Sequence, residues 1–307
     1  MVAGGELFAR YYLGLGTPPL SVTDSKIEYM FKPNQDLHRF HNHFVINEYG
    51  MRTNSFERRP APNELRVMVF GDSVLNGGNL TDQAKLATTL IQDRLAAANR
   101  RRVLVGNISA GSWGPGNWLG YSEKYGFFDA DLVILVVSSH DEADNPTFQP
   151  LNPYTHPTEM PVSALIEGIM RYLPRYLQFP FSSNGAKGDE ASSDPEGIVA
   201  SKSAKGLEDL RNFLVAAKQV SQFVMVLQHW TKEEISSGQP ASGHGHIQEV
   251  CESVGVSTVQ LMPSFKEALE RGNDPYRDKI HPNEEGQRLI AEAILENLPE
   301  QIIRARH

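Results

Sequence analysis

The segment 132–137 constrains the fold most, because six consecutive aliphatic residues occur there (Leu-Val-Ile-Leu-Val-Val). A strand with one face in water alternates apolar and polar residues, whereas an unbroken apolar run fits a strand that is buried on both faces. Such strands are typical of parallel sheets covered by helices on both sides. The run therefore predicts a central strand of a parallel sheet in an α/β protein.

Four further short segments are predicted to be strands of the same sheet: residues 66–70, 103–108, 223–227 and 257–261. Helical patterns lie between the strands or follow them: residues 82–98, 120–125, 162–177, 207–220, 247–253 and 284–298. The alternation of strands and helices indicates a three-layer α/β/α sandwich with a mostly parallel, five-stranded, flavodoxin-like sheet.

The regular pattern begins at residue 65, so we expect two parts of unequal weight. Residues 1–64 have only short strand candidates (26–32 and 44–47) and are predicted to be an N-terminal extension packed on a main domain, residues 65–307. Residues 182–205 are polar and have little apolar surface to bury, which predicts a flexible insertion. Residues 236–246 are predicted to be a second loop.

Composition narrows the classes of partner. The 307 residues include 29 Lys and Arg against 37 Asp and Glu, a net charge of −8, which argues against nucleic acid and anionic membranes as partners. No run approaches the ~18 apolar residues of a membrane span. The first residues lack a basic region followed by an apolar core, so we predict no signal peptide there. A signal or anchor trimmed from the chain would place the protein outside the cytoplasm.

Cysteine and histidine spacing predicts neither a disulfide nor a metal centre. Cys251 is the single cysteine and is expected to be a small buried residue. The histidines at 38, 41 and 43, and those at 244 and 246, match no familiar set of metal ligands. No cofactor is predicted.

Two short motifs supply the groups of a nucleophilic triad. Residues 71–73 (Gly-Asp-Ser) follow the strand 66–70, so Ser73 lies where α/β sheets bind ligands, at the carboxyl ends of the strands. Asp278 precedes His281 by three residues. A serine hydroxyl needs a base to become a nucleophile, and the base needs a partner that fixes its tautomer. We therefore predict Ser73 as nucleophile, His281 as base and Asp278 as its orienting carboxylate.

With these motifs the chain resembles the SGNH hydrolases, the GDSL esterase/lipase superfamily, over residues 65–298. Residues 71–74 (Gly-Asp-Ser-Val) are similar to the first conserved block, residues 107–114 (Asn-Ile-Ser-Ala-Gly-Ser-Trp-Gly) to the second, and residues 278–281 to the last. The resemblance implies that the backbone N–H groups of Ser73 and Gly111 stabilise the oxyanion. Ser112 and Gly114 remain alternatives to Gly111.

The third block departs from the family pattern. The family has Gly-x-Asn-Asp after a buried strand, whereas residues 138–141 are Ser-Ser-His-Asp, so His140 stands where the asparagine is expected. An imidazole N–H can also donate a hydrogen bond. We expect His140 to be the third oxyanion donor, with Asn117 and Asn145 as alternatives.

The substrate class follows from the resemblance and from nearby aromatic residues. Trp113, Asn117 and Trp118 are predicted to bind substrate, because exposed indoles beside a catalytic turn stack on sugars, although such aromatics are as often core residues. No lid with a broad apolar face is evident, which disfavours a lipase. Similarity to members linked to bacterial exopolysaccharide modification implies a serine esterase acting on O-acyl, specifically O-acetyl, esters of a carbohydrate. The alternatives are a polysaccharide O-acetyltransferase with the same triad, or a catalytically silent carbohydrate-binding protein.

Overall fold

A computed structural model describes residues 2–98, 101–172 and 196–303. A five-stranded parallel sheet, with strand order β6-β5-β7-β8-β9, accompanies two antiparallel hairpins, β1-β2 and β3-β4. The strands are β1 Ser21–Asp24, β2 Glu28–Phe31, β3 Gln35–Arg39, β4 Asn42–Ile46, β5 Glu64–Gly71, β6 Arg102–Ser109, β7 Leu132–Ser138, β8 Phe223–His229 and β9 Ser257–Gln260. All five strands predicted for the parallel sheet are present.

Helices connect the strands and cover the sheet. They are α1 Val2–Leu7, α2 Ser73–Asn76, α3 Ala87–Ala98, α4 Pro115–Tyr125, α5 Ala164–Glu167, α6 Glu196–Val220, α7 Lys232–Ser237, α8 Ser242–Ser253, α9 Met262–Glu270, α10 Glu284–Glu296 and α11 Glu300–Ile303. Short π-helical turns follow α1 (Phe8–Tyr12) and α5 (Gly168–Tyr172). None of the helices in the described ranges is both long and apolar enough to cross a membrane.

Side chains alternate between the two faces of the sheet and fill two apolar clusters. On β5, Met68 and Phe70 belong to one cluster, whereas Val67 and Val69 belong to the other. The first cluster includes residues of α4, α6 and α8, and the second includes residues of α3, α9 and α10. Helices on both faces of a buried parallel sheet make three layers, so the predicted α/β/α architecture is confirmed.

The strand order fixes where a ligand can bind. The chain passes from β5 to β6 on one side and returns across β5 to β7 on the other, so the connections diverge at the carboxyl ends of β5 and β7. Open α/β sheets bind ligands in the crevice at such a switch point. Ser73 and His140 each follow one of these two strands by two residues, and both therefore lie at this edge.

The N-terminal segment packs on the sheet and covers its edge. Ile27 and Met30 of the first hairpin region join the apolar cluster that contains α4. The backbone N–H of Arg52 donates to the carbonyl of Asn107 on edge strand β6 (3.0 Å), and the N–H of Asn107 donates to Thr53 Oγ1 (2.7 Å). These bonds satisfy groups that an edge strand would otherwise expose. The division into an extension and a main domain stays a prediction.

Three predictions about connecting segments differ from the structure or lie partly outside the described residues. Of the insertion predicted at 182–205, residues 182–195 lie outside the described residues, whereas 196–205 form the start of α6 rather than a loop. The loop predicted at 236–246 is largely helical, because α7 ends at Ser237 and α8 begins at Ser242. The helix predicted at 162–177 comprises α5 and a π-helical turn to Tyr172; residues 173–177 lie outside the described residues.

Candidate active site

Ser73 begins α2 immediately after β5, in a turn that Asp72 holds. The buried Asp72 side chain caps the helix by accepting the backbone N–H of Val74 (2.8 Å). Gly71 allows the tight exit from the strand, because a Cβ there would lie 2.8 Å from Leu75 Cβ and 3.1 Å from the Val136 carbonyl. The half-buried Ser73 side chain is thereby presented at the carboxyl edge of the sheet.

The structure brings the three predicted triad residues together. His281 Nε2 lies 3.0 Å from Ser73 Oγ, and His281 Nδ1 lies 2.8 Å from Asp278 Oδ2. Because Nδ1 faces a carboxylate, it carries the ring proton, and Nε2 is left to accept the serine proton. Ser73 and His281 are 208 residues apart in the chain but are within hydrogen-bond distance.

Asp278 is held in its charged form. Partial burial works against the charge, but the backbone N–H groups of His281 and Ile280 and the His281 ring outweigh it and hold the pKa of Asp278 below its ordinary value. The two backbone bonds to Oδ1 measure 2.8 Å from His281 and 2.9 Å from Ile280. The same carboxylate therefore shapes the loop and orients the imidazole.

A second histidine, which the sequence analysis missed, supports that loop from below. His229 ends β8, is fully buried, and its Nε2 lies 2.8 Å from the Ile280 carbonyl, which fits an N–H donating to that oxygen. Burial lowers the pKa of His229 to about 4, so the ring is neutral at physiological pH. The sequence shows only that His229 ends an apolar strand. That position does not tell whether the side chain supports a loop or simply fills the core.

Arg52 of the N-terminal segment holds the loop after Ser73. Its guanidinium is fully buried and donates to the carbonyls of Asn76, Gly78 (2.7 Å) and Thr81 (2.6 Å). Arg277 donates to the intervening carbonyl of Gly77 (3.0 Å). Sequence reasoning missed Arg52 because a lone arginine far from any motif carries no signal of a buried role.

Within the described residues, some of the candidate oxyanion donors already donate hydrogen bonds, and others do not. Gly111 borders the same cleft as Ser73. Of the alternatives, the Gly114 N–H donates to Asn117 Oδ1 (2.9 Å), and the Asn145 amide donates to two backbone carbonyls. Because the Gly114 N–H is engaged, Gly111 is favoured over Gly114. The amide of Asn145 is engaged too, which favours His140 over Asn145 as the side-chain donor. The oxyanion roles of Ser73, Gly111 and His140 stay predictions.

His140 lies over a pair of buried carboxylates. Its ring and the carboxylates of Asp72 and Asp141 place one possible ligand atom each within 4.8 Å of one another. Burial raises the pKa of Asp72, and burial together with the nearby charge of Asp72 raises that of Asp141. Asp141 Oδ2 accepts the Ser138 N–H (2.7 Å), while the buried Oδ1 accepts no hydrogen bond from any described residue and lies 3.5 Å from His140 Nε2. These three side chains are close enough to bind a cation. A proton retained on Asp141 would equally relieve the repulsion between the two buried carboxylates.

The substrate-binding roles expected of Trp113, Asn117 and Trp118 are wrong. All three side chains are buried, at 1%, 0% and 0% exposure. The indole N–H of Trp113 donates to the Tyr29 carbonyl and that of Trp118 to the Gly71 carbonyl, both at 3.0 Å. The amide of Asn117 bonds Gly114 and Ile27. Trp118 therefore supports the end of β5 next to Ser73, whereas Trp113 and Asn117 bond the backbone of the N-terminal segment. Because all three side chains are buried, they do not face a substrate.

Most of the residues that line the cleft beside Ser73 were not predicted from sequence motifs. It encloses about 160 Å³ and is lined by Pro18, Tyr29, Phe31 and Phe44 of the N-terminal segment, and by His156 and Arg171 of the segment before α6. These residues come from distant parts of the chain and adjoin Ser73 only once the sheet has formed.

Comparisons with known proteins give structural neighbours but no sequence relative. No protein-family model matches the chain, and no curated protein does. A catalytic mutant of Axe2, an acetylxylan esterase from Geobacillus stearothermophilus, is 12% identical, with a TM-score of 0.49 over 79% of this chain and 97% of that chain. A lipolytic protein of the G-D-S-L family from Veillonella parvula is 12% identical (TM-score 0.47, 76% and 98% covered). LAE5, an α/β hydrolase from the metagenome of Lake Arreo, is 15% identical (TM-score 0.46, 76% and 94% covered).

Proposed function

We propose that the chain is a serine esterase of the SGNH type that removes O-acyl groups, specifically O-acetyl groups, from a carbohydrate. The observation that carries the proposal is the continuous path from Asp278 through His281 to Ser73, with contacts of 2.8 and 3.0 Å, at the switch point of the sheet. A binding protein has no need of a serine aligned with a base and a charged orienting group.

The geometry supports an acyl-enzyme mechanism. His281 Nε2 takes the proton of Ser73 as Oγ attacks the ester carbonyl, and Asp278 stabilises the imidazolium. The backbone N–H groups of Ser73 and Gly111 and the His140 ring would stabilise the oxyanion. When the tetrahedral intermediate collapses, His281 gives its proton to the departing alcohol. Water then attacks the acyl-enzyme, His281 takes the water proton and returns a proton to Ser73, and the carboxylic acid leaves.

The dimensions and chemistry of the cleft favour a short acyl group on a polar alcohol. A volume of about 160 Å³ is enough for an acetyl group and part of a sugar ring. Asn76, Asn79, Thr155, His156 and Arg171 add polar groups to its lining. Polar groups that converge on an apolar floor are typical of sites that orient a small ligand.

The first experiment tests for a reactive serine. The protein is incubated with a chromogenic acetyl ester and, separately, with a serine-directed organophosphonate, followed by intact-mass measurement. We expect turnover and one adduct on Ser73, and a loss of about 10⁴-fold or more in kcat for Ser73→Ala. Ser236→Ala, which changes an exposed serine on α7, is the matched control. If the protein shows no turnover and forms no adduct, the enzyme proposal is contradicted. That result would favour the catalytically silent carbohydrate-binding protein.

A second experiment separates hydrolysis from acyl transfer. A soluble oligosaccharide acceptor is added, and both released acetate and acetylated oligosaccharide are measured. Acetate release that is unaffected by the acceptor supports the esterase. Acetylated product formed at the expense of acetate would identify the chain as an O-acetyltransferase with the same triad.

A further inference from the structure

We propose that the cleft beside Ser73 contains a subsite for a carboxylate on the substrate, formed by Arg171, His156 and Tyr29, so that the esterified saccharide is an acidic one. The binding follows from charge and unused hydrogen-bond donors in the cleft, whereas the link to an ester rests on the function proposed above.

The side chains that line the cleft carry a positive charge although the chain is negative and the carboxylates of Glu28, Asp72 and Asp144 lie near Tyr29. Among the described residues, the lining of the cleft includes Arg171 but no aspartate or glutamate, in a chain whose net charge is −8. Arg171 Nη1 lies 3.2 Å from Glu167 Oε1, but Glu167 is shared with the fully buried Arg39, whose guanidinium bonds both carboxylate oxygens at 3.0 and 2.6 Å. Two guanidinium groups face one carboxylate, which leaves one positive charge in excess. The neighbouring Glu6 does not cancel it, because Glu6 pairs with Arg10 (2.8 Å).

Two cleft side chains have nitrogen atoms available to a ligand. Arg171 Nε donates to the Tyr154 carbonyl (2.5 Å) and Nη1 to Glu167, while Nη2 bonds no group in the described part of the chain. His156 Nδ1 lies 2.9 Å from Thr155 Oγ1, which leaves Nε2. Burial lowers the pKa of His156, so the ring is neutral. It presents Nε2–H in the tautomer whose Nδ1 accepts the Thr155 hydroxyl, which then gives up its 3.3 Å bond to the Asn152 carbonyl. With 16% of its side chain exposed, Arg171 is screened less than an arginine on the open surface.

Tyr29 adds a hydroxyl that is buried without a partner. The residue is 5% exposed and lines the cleft, yet its hydroxyl makes no hydrogen bond to any described residue. Its ring lies edge-on to His156 with centroids 4.3 Å apart. Burial, with the charges of Asp144 and Glu28, raises the pKa of Tyr29, so the hydroxyl stays protonated and can donate. A buried donor without a partner costs free energy that a bound oxyanion would recover.

A carboxylate fits the site better than a phosphate monoester. The excess of one positive charge matches a monoanion, whereas a phosphate monoester carries about −1.5 to −2 at neutral pH. The volume of about 160 Å³ accepts part of a sugar ring together with its carboxylate. A uronic acid residue supplies both the carboxylate and the hydroxyl that would bear the ester.

Inhibition of turnover tests the subsite. With a neutral chromogenic acetyl ester as substrate, the inhibition constants of glucuronate, glucose and glucose 6-phosphate are measured for the wild-type protein, Arg171→Gln and Arg171→Lys. We expect glucuronate to be the tightest competitor, and Arg171→Gln to raise its inhibition constant roughly ten- to hundredfold through loss of a charge-assisted bond. Arg171→Lys keeps the charge without the planar fork and should fall between the two.

The matched control is Arg271→Gln. Arg271 also pairs with a glutamate four residues earlier, Glu267, but on α9 away from the cleft, so the glucuronate constant should not change. Equal inhibition by glucose and glucuronate would overturn the proposal, and tighter inhibition by glucose 6-phosphate would overturn the assignment to a carboxylate. If Arg171→Gln does not fold, weakening of glucuronate inhibition of the wild-type protein by added salt replaces it.

The outcome stays separable from that of the proposed function. If the wild-type protein does not turn over the neutral ester, glucuronate and glucose binding are compared by calorimetry on the same protein. Selective glucuronate binding without turnover would refute the esterase and keep the subsite. Turnover without selective binding would keep the esterase and refute the subsite.

Discussion

The proposed catalytic edge (Ser73, His281 and Asp278) and the wall of the cleft beside it (Tyr29, His156 and the other lining residues) are built in opposite ways. The catalytic edge consists of short, dense motifs, in which one carboxylate, Asp278, caps its own loop and orients His281 within four residues. The wall combines single residues from segments more than a hundred positions apart, such as Tyr29 and His156. Reaction chemistry demands a fixed set of groups at a fixed spacing, whereas recognition can be assembled from any segments that fold together.

The largest expected effect breaks the catalytic edge alone. Asp278→Asn keeps the size of the side chain but presents an amide that no longer fixes the His281 tautomer, so we expect kcat to fall roughly 10³- to 10⁴-fold. KM should change little because the wall is untouched. Steady-state kinetics on the acetyl ester check this, with Asp274→Asn on the same loop as control. A fall of less than tenfold would remove Asp278 from the triad.

The next effect tests whether the N-terminal segment, which supplies part of the cleft wall, also supports the loop after Ser73. Arg52→Met leaves the carbonyls of Asn76, Gly78 and Thr81 without their buried donor, and each unpaired group costs about 1–3 kcal/mol. We expect about 3 kcal/mol or more of lost unfolding free energy in urea titrations, together with a lower kcat. Arg58→Met, at an exposed arginine of the same segment, should cost less than about 1 kcal/mol. Equal costs would mean that the N-terminal segment does not support the edge.

The smallest effect concerns the carboxylates below His140. The native pKa of Asp141 is raised by burial and by Asp72, so the native state binds a proton that the unfolded state has already lost. Wild-type stability should therefore fall as the pH rises from the ordinary carboxyl range of about 4 toward the native pKa, by at most about 1.4 kcal/mol per pH unit. Asp141→Asn removes that proton and should flatten the slope in urea titrations. Asp93→Asn on the exposed face of α3 should not.

Features with a periodic pattern along the chain, or with several residues in one short motif, could be predicted from the sequence. An unbroken apolar run predicted the central strand, since burial on both faces leaves a local signal, and shorter, partly apolar segments between helical patterns predicted the other four. The loop expected at 196–205 was wrong because polar residues do not exclude a helix whose stability comes from packing further along, as at Phe213 of α6. The proximity of Ser73, His281 and Asp278 could be predicted because the residue types of a triad are restrictive, whereas their catalytic role stays a prediction. Trp113 and Trp118 were misassigned because an indole near a catalytic turn gives no local sign of its burial.

The 208 residues between Ser73 and His281 have a consequence for synthesis. Chains elongate at about 5–20 residues per second, so roughly 10–40 s pass between the arrival of the serine and that of its base. During that interval β5 and its turn can form, but the hydroxyl has no base and stays unreactive. We therefore expect the proposed esterase activity to appear in the nascent chain only after the loop with Asp278 and His281 has emerged.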